Sequence, residues 1–265
     1  MPDKFTLEEI REFWERQARE HGLAPAASWS DQMLIELEIR EISGYLADGD
    51  HVLDVGCGNG FSTIRFAAQR RLQIRGLDYI PEMIDQAQRR LSSFAGRLRG
   101  ALQFAQGDIT ALPEPPESYD KVVAIRVIIN LGEWPRQARA LQECSRVLKT
   151  GGTLLLSEAT IQGWQRLNQF RTEWGLPDIP MPPFNQYLDE RQVVEAVSAD
   201  LDLVDIVNFA STYYVGTRVL KPLLNQAIGG LVAVANPNMD WNRWLSYLPA
   251  WGDYGTQKLF VFRKR

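Results

Sequence analysis

The 265-residue sequence has few of the residues that define several other classes of protein. Its two cysteines, Cys57 and Cys144, cannot form a disulfide framework or a cysteine metal site by themselves, so we expect both to be reduced thiols. Its 29 basic residues are outnumbered by 33 acidic ones, and no basic field exists to attract nucleic acid or an anionic membrane nonspecifically. We therefore expect neither a nucleic-acid nor a membrane partner.

Long apolar runs and metal-binding patterns are also lacking. No stretch reaches 18 apolar residues without a charge or a break, and the opening segment, MPDKFTLEEIREFWERQ, has no apolar signal core. We therefore expect a cytoplasmic protein. No arrangement of Asp, Asn and Glu has convincing metal spacing, so we expect chemistry without a metal ion.

The N-terminal segment has the pattern of two helices. Thr6 is followed three residues later by Glu9, which is a capping-box signature, and apolar residues then recur at helical spacing. A break at residues 21–27 separates this helix from a second one that begins near Ser30. Residues 1–47 are therefore predicted to form a helical cap.

From His51 onward, short apolar runs alternate with helical patterns, as in a parallel sheet built of βαβ units. The predicted strands lie at 52–55, 73–77, 102–106, 121–125 and 153–157. One helix between them begins at Pro81, and another extends to Leu148, after which Gly151 and Gly152 turn the chain into the next strand. Because such crossovers are right-handed, we expect helices on both sheet faces and a ligand crevice at the carboxyl ends of the strands.

The pattern is weaker after Glu158. It predicts a helix near 163–174, a proline-rich loop at 176–183 and a short helix from Asp189. Two more strands are predicted at 201–207 and 258–262. The long connection before the last strand contains a predicted helix at 218–235 and many aromatic residues, among them Tyr213, Tyr214, Trp241, Trp244, Tyr247, Trp251 and Tyr254. We interpret it as a lid or substrate wall. Aromatic faces suit a sugar ring or another flat acceptor, a homodimer interface or plain lid packing.

A glycine-rich turn follows the first predicted strand. Its residues are Asp54, Gly56, Cys57, Gly58, Asn59 and Gly60. Glycines let the backbone turn tightly and approach a ligand closely, and the free N–H groups of the following helix attract an anionic or carboxylate-bearing group. In the dinucleotide fingerprint a third glycine would stand at Phe61, so the spacing argues against NAD.

Acidic residues end the next two predicted strands. Asp78, followed by Tyr79, suits the two hydroxyls of a ribose, and Asp108 with Ile109 suits the amino group and ring face of an adenine. Each aspartate alone is more often a helix cap or turn residue. Their order at successive strand ends favours one shared ligand.

With these motifs the sequence resembles the class I S-adenosylmethionine-dependent methyltransferases, from about Asp48 to Glu158. The resemblance implies that residues 54–60 hold the methionyl part of the cofactor, Asp78 the ribose hydroxyls, and Asp108 with Ile109 the adenine. We count Tyr79 and Arg126 among the predicted cofactor contacts as well.

The resemblance also implies the fold, an α/β three-layer Rossmann-like sandwich. Its seven-stranded sheet is mostly parallel, with an antiparallel last strand. We divide the chain into a helical cap, a cofactor-binding core, a lid or substrate-wall insertion and the last strand of the core, at residues 1–47, 48–209, 210–257 and 258–265.

Methyl transfer from a sulfonium depends mainly on alignment, and a base is needed only where the acceptor must lose a proton. His21 is the better histidine candidate for that base, with a capping or surface role as the alternative. His51 begins the first strand, at the end of the sheet opposite the crevice. Asn130, which follows the fourth strand, stands where relatives often have a histidine, and an amide cannot act as a base.

Arg126 and Glu158 complete the predicted catalytic set. Arg126 follows the fourth strand and can pair with an anionic acceptor, or with Glu158 or another acid of the fold. Glu158 ends the fifth strand, and we expect it to point into the crevice and to orient or deprotonate an acceptor.

The sequence therefore predicts a methyltransferase that uses S-adenosyl-L-methionine and acts on a small molecule. O-methylation of a hydroxylated acceptor is favoured, such as an anionic, sugar-like or secondary-metabolite compound. The alternatives are N-methylation of a small amine, and a protein of the same fold that binds the cofactor without transferring a methyl group.

Overall fold

The computed structural model describes residues 4–94, 96–230 and 236–265. Helix α1 (Leu7–His21) begins with the predicted capping box: Glu9 N donates to Thr6 Oγ1 at 3.3 Å, and Thr6 N donates to the Glu9 carboxylate at 2.7 Å. Helix α2 (Gln32–Ser43) follows a short 3₁₀ turn and is capped by Asp31. The two predicted helices at the N-terminus are confirmed.

The strands form one seven-stranded sheet. They are β1 (His51–Val55), β2 (Gln73–Asp78), β3 (Ala101–Gln106), β4 (Tyr119–Ile125), β5 (Leu148–Ala159), β6 (Leu201–Val207) and β7 (Gln257–Lys264). Their order is β3-β2-β1-β4-β5-β7-β6. Only β7 runs antiparallel to its neighbours β5 and β6 in the described part of the chain, which confirms the predicted sheet.

Helices cover both faces of this sheet. They are α3 (Phe61–Gln69), α4 (Pro81–Phe94), α5 (Trp134–Val147), α6 (Ile161–Glu173) and α7 (Glu190–Val197). Helices α2, α3, α4 and α6 contribute to the core on one face, and α5 and α7 contribute to the core on the other. Because successive strand residues point to opposite faces, Leu155 belongs to the first core and its neighbours Leu154 and Leu156 to the second. The three-layer prediction is confirmed.

The start of β5 differs from the prediction. Leu148, expected in the helix, is the first residue of β5 and is paired with Tyr119, and α5 already ends at Val147. Gly151 and Gly152 lie inside the strand and do not end the helix. Pairing with β4 determines this boundary, and the local glycine signal does not reveal that pairing.

The connection between β6 and β7, which the sequence predicts to be an insertion, is also arranged differently from the prediction. A continuous helical stretch runs through α8 (Ser211–Val215), a π-helical turn (Gly216–Leu220) and α9 (Lys221–Ala227), so it begins before residue 218. It has ended by Gly229 and Gly230, and residues 231–235 of the predicted helix lie outside the described residues. A short helix, α10 (Asp240–Leu245), was not predicted. No helix in the described ranges has the length and apolar character needed to cross a membrane.

Candidate functional site

A cavity of about 910 Å³ opens at the carboxyl ends of the central strands, within the size range of small-molecule sites. We call one part of its wall the cofactor half, after the residues predicted to hold the cofactor; residues 54–59, 61–62, 77–80 and 107–109 form it. The predicted contact Gly60 is absent from this wall, because it packs against Phe104 and Ala87. We call the other part the acceptor half; it contains Trp29, Trp164, Leu167, Ile179, Tyr187, Tyr214, Arg218 and Gln257. Residues of α1 line the cavity as well, so the N-terminal cap contributes a wall.

The glycine-rich turn is fastened to β2. Gly56 N and Cys57 N both donate to Leu77 O, at 2.7 and 2.9 Å. A Cβ on Gly56 would lie 2.5 Å from the Val127 side chain, and its φ of +73° is one that other residues avoid, so the turn requires glycine there. A Cβ on Gly58 would meet nothing within 4 Å, which leaves space beside the backbone for a ligand.

Asp78 is held rigidly at the edge of this turn. Its carboxylate accepts from Gly58 N at 2.8 Å and from Ile80 N at 2.9 Å, and it lines the cavity. Burial raises the pKa of Asp78, and the backbone N–H groups that bond to its ionised form oppose that shift. The carboxylate of Asp78 therefore lies beside the glycine-rich turn on the cavity wall, and its ribose contact stays a prediction.

Asp108 and Ile109 line the neighbouring part of the cofactor half. Asp108 Oδ1 accepts from the amide and the hydroxyl of Thr110, at 2.8 and 2.7 Å, whereas Oδ2 has no hydrogen-bond partner among the described residues. Ile109 is buried beside this carboxylate. An apolar surface next to a free acceptor fits a base that carries an amino group.

Other predicted cofactor residues shape the turn. Asp54 is buried and accepts from Thr63 Oγ1 at 2.6 Å, which fixes the start of α3; burial raises its pKa to about 7. The Asn59 amide donates to Gly22 O and Ala24 O, both at 2.9 Å, so this side chain holds the N-terminal cap over the turn. Its role is therefore one of positioning.

Cys57 and Tyr79 complete the predicted set in the cofactor half. Burial raises the pKa of the Cys57 thiol, and neither Cys57 nor Cys144 is in a disulfide, as expected for reduced thiols. Tyr79 is 48% exposed, and its ring lies under the Arg11 guanidinium of α1, 5.5 Å from the ring centre. Both residues line the cavity.

Of the two histidines, only His21 belongs to the described cavity wall. His21 is exposed at the end of α1 and lines the cavity next to Gly22, whose carbonyl accepts from Asn59. This position is above the cofactor half. His51 begins β1, and its amide donates to Asp120 at 2.9 Å; its side chain is absent from the described cavity wall, as the sequence predicts.

Arg126 lines the cavity, but its charge is already paired. Its guanidinium forms an ion pair with Glu38 of α2 and lies over the Trp29 ring, 5.0 Å from the centre. Of the two alternatives, the structure shows pairing with an acid of the fold, and that acid is Glu38. Ser157 Oγ and Gln257 Nε2 also donate to Glu38, which is 1% exposed.

Sequence reasoning missed Glu38, although a signal was present. The residue lies on the same helical stripe as Ile35, Ile39 and Ile42, all of which are buried. A charged residue inside an apolar stripe predicts a buried carboxylate with a partner.

Glu158 does not point into the crevice, and that expectation is wrong. Ser157 faces α2, so the next residue of the strand must face the opposite side of the sheet. There Glu158 Oε1 accepts from Val127 N at 2.8 Å and from Ile128 N at 2.6 Å, and the side chain is fully buried outside the cavity wall. Burial raises its pKa to about 8. It holds the segment after β4.

Asn130 stabilises the wall of the cavity. Its amide donates to Arg126 O at 2.7 Å and accepts from the Asn185 amide at 2.9 Å. The first bond lies within the segment after β4, and the second joins that segment to the loop that follows α6. The amide therefore fixes the wall, in keeping with the prediction that it is no base.

The acceptor half collects side chains from distant parts of the chain. Trp164 donates from its indole to Ile179 O at 2.7 Å, and its ring meets that of Tyr187 edge-on at 6.4 Å. Arg218 donates to Asp31 at 2.7 Å and lies over the rings of Tyr213 and Tyr214. This half is mostly aromatic and apolar, with polar groups at a few points.

Part of the chain is similar in sequence to known methyltransferases. Residues 52–152 match the family model described as a methyltransferase domain. The fatty-acid O-methyltransferase of Mycolicibacterium smegmatis is 31% identical over 60% of this chain and 54% of its own length. The ubiquinone/menaquinone biosynthesis C-methyltransferase UbiE of Rhizobium leguminosarum bv. trifolii is 31% identical over 58% of this chain and 56% of its own.

Solved structures share the whole architecture. Mycolic acid cyclopropane synthase CmaA1, complexed with SAH and CTAB, superimposes with a TM-score of 0.61 over 98% of this chain and 99% of that chain, at 16% identity. At this identity the likeness shows a shared fold. The chain matches the methyltransferase-domain model over residues 52–152, which is less than half of its length. It spans little more than half the length of the two curated relatives.

Proposed function

We propose that this protein is an S-adenosylmethionine-dependent methyltransferase that methylates an oxygen of a small molecule. The observation that carries the proposal is the continuity of one cavity. Its cofactor half presents the turn at Gly58 and the carboxylates of Asp78 and Asp108, and its acceptor half is aromatic. A donor and an acceptor bound in this cavity would lie next to each other.

The cofactor half fits S-adenosylmethionine in its chemistry. The carboxylate of Asp78 would accept from the ribose hydroxyls, and the unpartnered oxygen of Asp108 would accept from the adenine amino group, with Ile109 against the ring. The space beside Gly58 and the start of α3 would take the methionyl end. When bound, the cofactor supplies an electrophilic methyl group.

The protein's contribution to the reaction is alignment and exclusion of water. Glu38 fixes Arg126 and Gln257 at the boundary between the two halves, and Asn59 fixes the cap over the turn. Such positioning supplies much of the rate in a displacement that needs collinear reacting atoms. The cavity encloses too little space for a folded macromolecule, which supports a small acceptor.

Oxygen is the favoured acceptor atom, and one relative is a fatty-acid O-methyltransferase. Another relative is a C-methyltransferase, so the resemblance alone leaves the atom open. The aromatic wall does not support a sugar-like acceptor in particular. Arg126 and Arg218 are each paired with an acid, so neither supports an anionic acceptor.

Calorimetry with S-adenosylmethionine and its demethylated product SAH tests the proposal directly. We expect both to bind at a one-to-one ratio; a protein that binds neither is no methyltransferase of this kind. Incubation with a methyl-labelled donor and a panel of small hydroxyl compounds and amines then identifies the modified atom by mass spectrometry. Label that transfers only to amines would contradict O-methylation, and bound donor that never loses its label would favour a non-methylating role.

A further inference from the structure

The acceptor half holds two tyrosine hydroxyls without a hydrogen-bond partner among the described residues, those of Tyr187 and Tyr214. Burial raises the pKa of Tyr187 to about 12. Burial also raises the pKa of Tyr214, and the electrostatic effect of Tyr187 raises it further. Both groups are therefore neutral donors at physiological pH. Both side chains line the cavity, so a ligand oxygen that accepts from these hydroxyls would take the place of solvent there.

No base stands beside these hydroxyls. The acidic residues of the described cavity wall are Glu8, Asp54, Asp78 and Asp108, and its one histidine is His21. Three of these acids belong to the cofactor half, and Glu8 and His21 are exposed on α1. The acids nearest the acceptor half, Asp31 and Glu38, are each bound to an arginine.

Without a base, the acceptor must ionise by itself. An aliphatic hydroxyl is about as weak an acid as water, whose pKa is about 15.7, so it keeps its proton at neutral pH. A phenol ionises near pH 10, roughly like tyrosine. Two hydroxyl donors that stabilise the anion lower its pKa, against the rise that burial causes for Tyr187 and Tyr214 themselves. The pocket therefore favours an acidic hydroxyl over an alcohol.

The shape and the charge of the acceptor half narrow the choice further. Trp29, Trp164, Tyr187 and Tyr214 offer flat aromatic faces, and Leu167 and Ile179 add aliphatic surface. A carboxylate that enters such surroundings needs an unpaired cation, whereas a phenol enters neutral. In the described cavity wall, Arg136 at the start of α5 forms no ion pair, so a carboxylate acceptor would depend on it.

We propose that the acceptor half binds a planar, mostly apolar phenol or enol, an inference that rests on the methyltransferase function proposed above. Its reacting oxygen accepts hydrogen bonds from Tyr187 and Tyr214. The acceptor gives its proton to solvent water before transfer. The oxygen then forms a bond to the methyl carbon while the carbon–sulfur bond breaks, and the sulfonium becomes a neutral thioether.

Three probes with the same ring system test this proposal on the intact protein saturated with SAH: 2-naphthol, 2-naphthalenemethanol and 2-naphthoate. We expect the absorbance of bound 2-naphthol to report a phenol pKa below that of the free compound. With a labelled methyl donor in place of SAH, only 2-naphthol should become methylated.

Substitution of the hydroxyls tests their assignment. Tyr187→Phe and Tyr214→Phe should each lower kcat/KM for 2-naphthol roughly tenfold and raise the pKa of the bound phenol toward the free value, with SAH affinity unchanged. Tyr247→Phe is the matched control, because this tyrosine is 71% exposed and absent from the described cavity wall. It should change none of these quantities.

Several results would overturn the proposal while leaving the methyltransferase function intact. They are equal methylation of 2-naphthalenemethanol, methylation of 2-naphthoate that Arg136→Gln abolishes, or a bound phenol whose pKa equals that of the free one. Failure of 2-naphthol to bind to the SAH complex would overturn it as well. A protein that does not bind SAH at all would refute the proposed function itself.

Discussion

The two halves of the cavity are built in different ways. The cofactor half consists of three short segments, each directly after a parallel strand, and backbone N–H groups fix its key carboxylate, Asp78. The acceptor half takes single side chains from the stretch before α2, from α6, from the loop after it and from the insertion. The first depends on local backbone geometry, and the second depends on contacts between distant segments.

Buried ion pairs join these distant segments. Glu38 of α2 binds Arg126 after β4, and Asp31 before α2 binds Arg218 in the insertion. Each pair fixes a residue of the cavity wall from an element that the Rossmann-like sheet does not provide. The comparison predicts that substitutions in the two halves have separable effects, and that Glu38, which lies between them, affects both.

The largest expected effect is that of Glu38→Gln. It leaves the partly buried guanidinium of Arg126 without its charge partner, so the loss should lie at the lower end of the cost of breaking a buried pair, about 3 kcal/mol of unfolding free energy. Urea denaturation measures the loss. The matched control is Glu36→Gln, whose partner Arg65 forms a half-exposed pair worth about 1 kcal/mol or less. Equal losses in the two variants would show that the buried pair does not support the cavity.

Asp78→Ala should affect the cofactor half alone. Hydrogen bonds to a charged group contribute about 1.5–3 kcal/mol each, so losing the carboxylate should weaken SAH binding about 100-fold. Calorimetry with SAH measures this, with Asp85→Ala on the exposed face of α4 as the control. Unchanged SAH affinity in Asp78→Ala would refute the ribose assignment.

Glu158→Gln tests the position of Glu158 behind the sheet, because a buried residue outside the cavity should alter stability and not binding. The folded protein keeps the proton of Glu158 up to a pKa of about 8, whereas the unfolded chain releases it above its ordinary value of 4.5. Between these pH values the free energy of unfolding of the wild type falls as pH rises, by up to about 1.4 kcal/mol per pH unit.

Glutamine removes this titration, so the variant should gain stability relative to wild type from pH 5 to pH 8. Urea denaturation at several pH values measures the difference. Asp54, with a raised pKa of about 7, contributes in the same direction in both proteins and cancels in the comparison. Glu195→Gln, on the exposed side of α7, is the control. A parallel pH dependence in wild type and Glu158→Gln would contradict the burial argument.

Thr6→Ala should have the smallest effect. It removes half of the capping box and costs about 1 kcal/mol, confined to α1. Hydrogen exchange should become faster in the first turn of α1, and the KM of the acceptor should change more than the affinity for SAH. Exchange that stays as slow as in wild type would show that packing against the cavity, and not the cap, holds the helix. Thr150→Ala, on the exposed part of β5, is the control.

Most of the fold was predictable because its signals are local. Short apolar runs indicated the strands, and the glycine-rich turn with Asp78 and Asp108 indicated the edge of the sheet where the cavity opens. The start of β5 was not predictable, because Leu148 is extended only through its pairing with Tyr119. Propensity alone continues the helix through that residue.

The acceptor half was mostly unpredictable for the same reason. Tyr214 was named among the aromatic residues of the long connection, but Trp29, Trp164 and Tyr187 lie in segments without a motif. Glu158 was misplaced because a strand end alone does not reveal which face a side chain takes; the contacts of its neighbour Ser157 settle it.

The amino-acid sequence by itself determined the parallel sheet, the glycine-rich turn and the acids at the ends of successive strands. These features follow from backbone conformation and short-range periodicity, which neighbouring residues encode. Tertiary structure alone decided that Glu38 takes the charge of Arg126, that Glu158 is buried behind the sheet, and that two tyrosine hydroxyls share one cavity. Such pairings depend on which distant segments meet when the chain folds, and no local pattern specifies them.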